Sequence, residues 1–285
     1  MYYQIDHMDG YDRIGSAEGT YCYLIEGSER AMLIDTGYGF GDIKAAVRSI
    51  TDKPLYILNT HGHCDHTGGN GRFEEACHIH EADLELCHQH NTEEMRRSNA
   101  ERSAHSLNYE TGETFNALPE DFDMESYVSL GYGRLETVKP GTVIDLGGKT
   151  CELIETPGHT RGGLSVWYRE KNLAYIGDAF GFFVWLFLEE STDQKTYVDM
   201  LDRMYALNAD GYIAAHNPLV IRREELMSYK KAALEADYAA GEIFRTDMVK
   251  GAEPHVCPLP GMTMADMFKR GFASVVINED WGKEN

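Results

Sequence analysis

Ten residues constrain this chain more than any other segment: Thr60-His61-Gly62-His63-Cys64-Asp65-His66-Thr67-Gly68-Gly69, directly after the apolar run Leu55 to Leu58. Imidazole nitrogen and carboxylate oxygen are the donors that zinc and similar divalent ions select. In extended chain His61 and His63 point to the same side. Asp65 and His66 follow where the glycines let the backbone turn, so they address a second position beside the first. One metal takes about three protein ligands and keeps an open site, so two donor pairs suit two metals sharing a water. Cys64, between two donors, is expected to face away by strand alternation.

Other segments repeat the device of a polar donor at the end of an apolar strand. Thr156-Pro157-Gly158-His159-Thr160 offers an imidazole in a tight turn, Tyr175-Ile176-Gly177-Asp178 a carboxylate, and Ile213-Ala214-Ala215-His216 a further imidazole. Strand signals cover Thr20 to Glu26 and Ala31 to Asp35, joined by the turn GSER, and recur at Cys77 to His80, Thr142 to Leu146, Thr150 to Glu155, Leu164 to Tyr168 and Leu173 to Ile176. Helical spacing is read at Ile43, Val47 and Ile50, from Ala82 to His90, from about Thr192 to Leu207 and from about Arg223 to Tyr238. A short helix at Met264 to Lys269 and an apolar Ala273 to Ile277 close the pattern. Two successive blocks, each mostly β then α, predict an α/β sandwich of stacked sheets with helices outside.

The ordered set resembles the metallo-β-lactamase superfamily: Asp35 in a strand-ending LIDTG, then HxHxDH, PGHT, GD and a late His. The resemblance implies a four-layer αβ/βα sandwich forming one domain over 1–285. An insertion or lid at about 81–130 and a C-terminal extension at about 251–285 are expected on it. It implies one metal on His61, His63 and His159 and another on Asp65, His66 and His216, with Asp178 bridging and Asp35 as a buried structural Asp. The expected cofactors are two divalent ions, zinc first, with manganese or iron as the alternatives. The expected chemistry is that of the glyoxalase-II-like and lactonase-like branch, in which a hydroxide shared by the metals attacks a small-molecule thioester, ester or lactone. Asp65 is the expected catalytic group, orienting the water and taking its proton. A phosphodiesterase or RNA-processing nuclease and a mononuclear-iron persulfide dioxygenase share much of the ligand pattern and stand as alternatives.

Charge separates some of these readings. The 26 Lys and Arg against 47 Asp and Glu give a formal charge of −21, which repels polyphosphate at long range, so no nucleic-acid partner is expected. The acidic N-terminal MYYQIDHMDGYDR lacks the basic flank and apolar run of a signal peptide. No apolar run is long enough to cross a bilayer, so no membrane partner is expected. Six scattered cysteines without a CxxC pair point to free thiols in a reducing cytoplasm. His78, His80, His88, His90 and His105 match no ligand position and are read as surface or lid residues. The aromatic run Phe180 to Leu188, following Asp178, fits a substrate wall, a core strand or a homodimer contact.

Overall fold

The protein is described by a computed structural model over residues 2–107, 111–246, 251, 253–267 and 269–283. Parts of the 81–130 stretch (108–110) and of the 251–285 stretch (252, 268, 284–285) lie outside those residues. The chain divides into two compact units, Met1–Leu153 with Tyr168–Glu170, and Ile154–Trp167 with Lys171–Asn285.

The first unit opens with four strands, β1 (Gln4–His7), β2 (Asp12–Gly15), β3 (Tyr21–Glu26) and β4 (Ala31–Ile34). Helix α1 (Ile43–Arg48), strand β5 (Leu55–Leu58), helix α2 (Cys64–Thr67) and strand β6 (Cys77–His80) follow. Helices α3 (Leu84–His90) and α4 (Glu93–Ser103), the short pair β7 (Ser106–Leu107) and β8 (Thr114–Phe115), and helix α5 (Met124–Val128) lead to β9 (Leu135–Val138). The hairpin of β10 (Val143–Asp145) and β11 (Thr150–Glu155) carries the chain out of this unit.

Seven of these strands form one sheet in the order β1-β2-β3-β4-β5-β6-β9. It is antiparallel up to β4 and parallel from β4 onward. Every residue of β4 is buried, as a strand covered on both faces requires. The register Ile34↔Leu58 brings the ends of β4 and β5 level, so the residues that follow each strand meet at one sheet edge. Helix α1 is started by Asp42, whose carboxylate accepts the Ala45 N–H at 2.9 Å, and it buries Ile43, Ala46 and Val47.

The second unit contains β12 (Leu164–Tyr168) up to Trp167, β13 (Leu173–Gly177), β14 (Val184–Trp185), helix α6 (Gln194–Leu207) and β15 (Gly211–Ala214). Helix α7 (Leu226–Leu234) and strands β16 (Glu242–Ile243), β17 (His255–Pro258) and β18 (Ser274–Ile277) complete it. Strand β13 lies between β12 and β15 and runs parallel to β15. Helix α6 buries Tyr197, Met200, Leu201 and Met204, the i, i+3, i+4, i+7 stripe of an amphipathic helix. It ends where Asn208 turns left-handed at φ 56°.

The C-terminal apolar segment forms a sheet of its own, ordered β14-β18-β17-β16. The aromatic run therefore supplies an edge strand, β14, paired in parallel with β18. The helix expected at Met264 to Lys269 is a single 3-10 turn at Met264–Asp266, with Phe268 outside the described residues. The helix expected from Arg223 to Tyr238 is broken into a 3-10 turn (Arg223–Glu225), α7 and a further 3-10 turn (Tyr238–Ala240). Among the described residues no helix is long and apolar enough to cross a membrane.

Helix α4 is the element that its own sequence hides, because its buried positions are Arg96, Asn99, Ala100 and Ser103. The Arg96 guanidinium is buried and donates to the carbonyls of Gly68 (2.9 Å), Tyr127 (3.4 Å) and Gly131 and to Asn91 Oδ1 (2.9 Å), with the Tyr127 ring 4.9 Å away. Replacing it with an apolar residue leaves those acceptors buried without their donor. Arg96→Met is expected to lower unfolding stability by about 3 kcal/mol in urea titration; a change below about 1 kcal/mol would mean that water takes over its bonds.

Candidate metal centre

In the first unit the donors follow β5 as a loop and one short helix. His61 and His63 lie in the loop, with His63 the extended residue that starts α2, and Asp65 and His66 lie on α2 itself. The helix, rather than a glycine turn, delivers the second pair. Strand alternation consequently does not govern Cys64, which opens α2; it is buried, and burial pushes its thiol up to about 12.

His61, His63 and His66 are all buried. His61 Nε2 lies 3.1 Å from His63 Nδ1, and the His61 ring centroid is 4.0 Å from that of His66. His66 Nε2 lies 3.5 Å from Asp65 Oδ2. Imidazole nitrogens packed this closely beside a carboxylate offer the donor types that a divalent cation selects.

Asp35 locks the loop from behind. Its backbone is left-handed at φ 63°, uncommon for a residue with a side chain. Asp35 Oδ1 accepts the Thr60 N–H at 2.7 Å, and Oδ2 accepts the Thr60 hydroxyl at 2.9 Å and faces His66 Nδ1 at 2.8 Å. A carboxylate on Nδ1 holds the proton there and turns Nε2 outward as the ligating nitrogen. The expectation that Asp35 is a buried structural Asp agrees with this geometry.

A buried polar layer carries the loop further. Asn59 and Asn70 exchange side-chain hydrogen bonds at 2.9 and 3.1 Å, and Asn59 also donates to the His66 carbonyl at 3.0 Å. Asp83, at the entrance to α3, accepts the Gly62 N–H at 3.0 Å. A Cβ on Gly62 would lie 2.8 Å from the Asp83 carbonyl oxygen, so only glycine passes there. Asn91 donates to Thr67 Oγ1 at 2.7 Å, and Arg96 binds the Gly68 carbonyl just beyond α2. Residues 81–107, expected as part of a lid, thus contribute Asp83, Asn91 and Arg96 to the support of the donor loop.

The spare histidines divide. His78 stacks on Tyr56 and bonds the Ile57 carbonyl at 3.0 Å, while His80 accepts the Ala82 N–H at 3.1 Å to cap a turn. His90, read from sequence as a surface or lid residue, instead stacks on His63 with centroids 4.8 Å apart. Its place at the end of α3, itself docked by Asp83 and Asn91, brings it there.

In the second unit His159 occupies the turn after β11, tightened by a Gly158 N–H bond to the Thr160 carbonyl at 3.0 Å. His159 Nδ1 lies 2.8 Å from the Trp185 carbonyl oxygen, leaving Nε2 to ligate. Asp178 and His216 leave the ends of the parallel neighbours β13 and β15, whose register pairs Gly177 with Ala214. That adjacency sets His216 Nε2 3.3 Å from Asp178 Oδ2, and His159 Nε2 lies 3.8 Å from the same oxygen. Within each unit the imidazole and carboxylate groups therefore lie close to one another, and these are the donor types that divalent ions select.

The comparisons with known proteins agree with this donor chemistry. The family described as the metallo-beta-lactamase superfamily matches residues 15–216. The acyl-coenzyme A thioesterase MBLAC2 of Bos taurus is 26% identical over 178 residues, 55% of this chain and 56% of that protein. A hydroxyacylglutathione hydrolase of Rhodospirillum rubrum is 28% identical over 138 residues, 48% of this chain and 38% of its own. The chain thus spans about half the length, or less, of these curated relatives. The crystal structure of ST1585 from Sulfolobus tokodaii shares the fold, with a TM-score of 0.52 at 20% identity over 81% of this chain and 86% of that one. The α/β sandwich expected from the sequence is the fold of these neighbours.

Asp35→Asn keeps a residue tolerant of left-handed backbone but weakens the acceptor on His66 Nδ1. It is expected to cut zinc affinity about 10- to 100-fold in chelator competition, with Asp35→Ala at least as damaging. Unchanged affinity in both variants would show that the His66 tautomer is set by another group.

Proposed function

The chain belongs to the metallo-beta-lactamase superfamily, and from that premise we propose that it is a metal-dependent hydrolase of small thioesters. His61, His63, Asp65, His66, His159, Asp178 and His216 are the residues that would hold divalent metal, zinc first; manganese or iron would suit the same donors. The observation that carries the reading is the preset tautomer of two donor histidines, His66 by Asp35 and His159 by the Trp185 carbonyl. Side chains held in this way are organised for ligation before any ion binds.

When bound, divalent ions supply Lewis acidity towards a carbonyl oxygen and lower the pKa of water. The protein's own groups do the rest. Asp65 is only partly buried and lies at the start of α2, where its carboxylate orients the attacking water and accepts its proton. His216, with 41% of its side chain exposed, stands on the solvent side, where substrate enters. The names of the relatives, an acyl-coenzyme A thioesterase and a hydroxyacylglutathione hydrolase, favour a thioester over an ester or lactone. A thiolate is a good leaving group, so the reaction requires no strong general acid, and none stands out in this sequence.

The charge of −21 favours a small-molecule substrate over a nucleic acid. All six cysteines are buried free thiols, which supports a reducing, cytoplasmic setting.

Two carboxylate variants test the assignment, Asp178 as a ligand and Asp65 as a ligand that also takes the proton. Asp178→Ala is expected to lose bound metal and to lower kcat/KM by more than about 10³-fold while the circular dichroism spectrum is retained. Asp65→Asn is expected to lower kcat about 10²- to 10⁴-fold. Full activity in either variant, or in protein stripped by a chelator, would overturn the reading.

A further inference from the structure

Strand β14 and its flanks sort their side chains by alternation. Val184 and Leu186 enter the core that also holds α6 and α7, whereas Phe183, Trp185 and Phe187 gather on the other side with Phe244. The Phe244 ring centroid lies 5.1 Å from that of Phe183, 5.2 Å from Trp185 and 6.1 Å from Phe187, all edge-to-face. Phe187 is buried, but Phe183, Trp185 and Phe244 each keep part of their surface in solvent. These rings form an apolar platform, and no residue from 179 to 188 carries a charge.

The platform is tied to the donors of its own unit. The Trp185 carbonyl takes the His159 Nδ1 hydrogen bond at 2.8 Å, so one residue both sets a ligand's tautomer and contributes a ring to the platform. Asp178 precedes Phe183, the first ring of the platform, by five residues. A Cβ built on Gly181, midway between Asp178 and β14, would meet nothing within 4 Å, so the connecting backbone borders open space. Hydrogen bonds from Ser274 Oγ to the Phe182 carbonyl (2.6 Å) and from Asn278 to the Phe187 carbonyl (2.8 Å) fix both ends of the segment.

We infer that this platform is the acyl subsite: Trp185 and Phe244 select an apolar acyl group, the inference resting on the thioester reading above. An alkyl chain laid on the rings removes apolar surface from water on both sides. A short hydroxyacyl group gains little there, because its hydroxyl would be desolvated against carbon with no hydrogen-bond partner. The substrate class is therefore the thioester of a medium or long unsubstituted acyl chain.

The test uses coenzyme A thioesters from acetyl to dodecanoyl, together with dodecanoate binding by titration calorimetry. For the native chain, kcat/KM is expected to rise about two- to fourfold per added methylene until the platform is covered. Phe244→Ala and Trp185→Ala are each expected to lower dodecanoyl turnover at least about tenfold more than acetyl turnover. Trp185→Phe should recover most of the loss, and dodecanoate affinity should fall in step. A flat profile in the native chain, or a loss in Phe244→Ala that is equal at every chain length, would overturn the assignment. An altered oligomeric mass with an unaltered profile would overturn it too, assigning the platform to a second copy of the chain. If no thioester is cleaved, the thioester reading fails; dodecanoate binding that is lost in Phe244→Ala would still support an alkyl subsite, and no binding would remove it.

Discussion

Asp35 ends β4 in a left-handed conformation, and its carboxylate engages the Thr60 N–H, the Thr60 hydroxyl and the His66 ring. The conformation costs on the order of 1 kcal/mol, and three charge-assisted hydrogen bonds inside the protein offset it. Without that anchor Thr60 and the His66 ring lose the carboxylate behind them, and only the layer of Asn59, Asn70, Asp83, Asn91 and Arg96 remains to hold the loop after β5. The parallel register of β4 and β5 is what sets Asp35 level with Thr60.

Both units use the same construction. A buried strand ends, and a polar donor follows it immediately, so rigid backbone positions a side chain that must not move. In the first unit the support is a layer of three amides, a hydroxyl, a carboxylate and an arginine, made of Asn59, Asn70, Asn91, Thr36, Asp83 and Arg96. In the second the support is main chain, the Trp185 carbonyl for His159 and the neighbouring ends of β13 and β15 for Asp178 and His216. Buried polar layers of the first kind are costly unless each member is bonded. Here the bonds run back to the donor loop, so rigidity of the loop and satisfaction of the layer are the same requirement.

The candidate donors stood out in the sequence because seven His and Asp residues follow apolar runs, a pattern that single cap or turn residues do not produce together. Strands were legible for a related reason, since runs such as AMLID and LAYIG are apolar on both faces. Helix α4 was not, because the face it buries is Arg96, Asn99 and Ser103, which no apolar periodicity marks. Asp83 and His90 escaped for the same cause, because their roles come from where α3 docks and not from any local pattern. The part played by Trp185 in orienting His159 could not be read at all, since a carbonyl oxygen is common to every residue.

The proposed chemistry depends on ligation of metal by these donors, and metal content per chain tests it most directly. Mass spectrometry of protein purified without added metal should find two divalent ions per chain, zinc foremost. A single iron per chain would contradict the paired site and point to oxidative chemistry at one centre. A well-folded chain that holds no metal, even after incubation with zinc, would contradict the account as a whole.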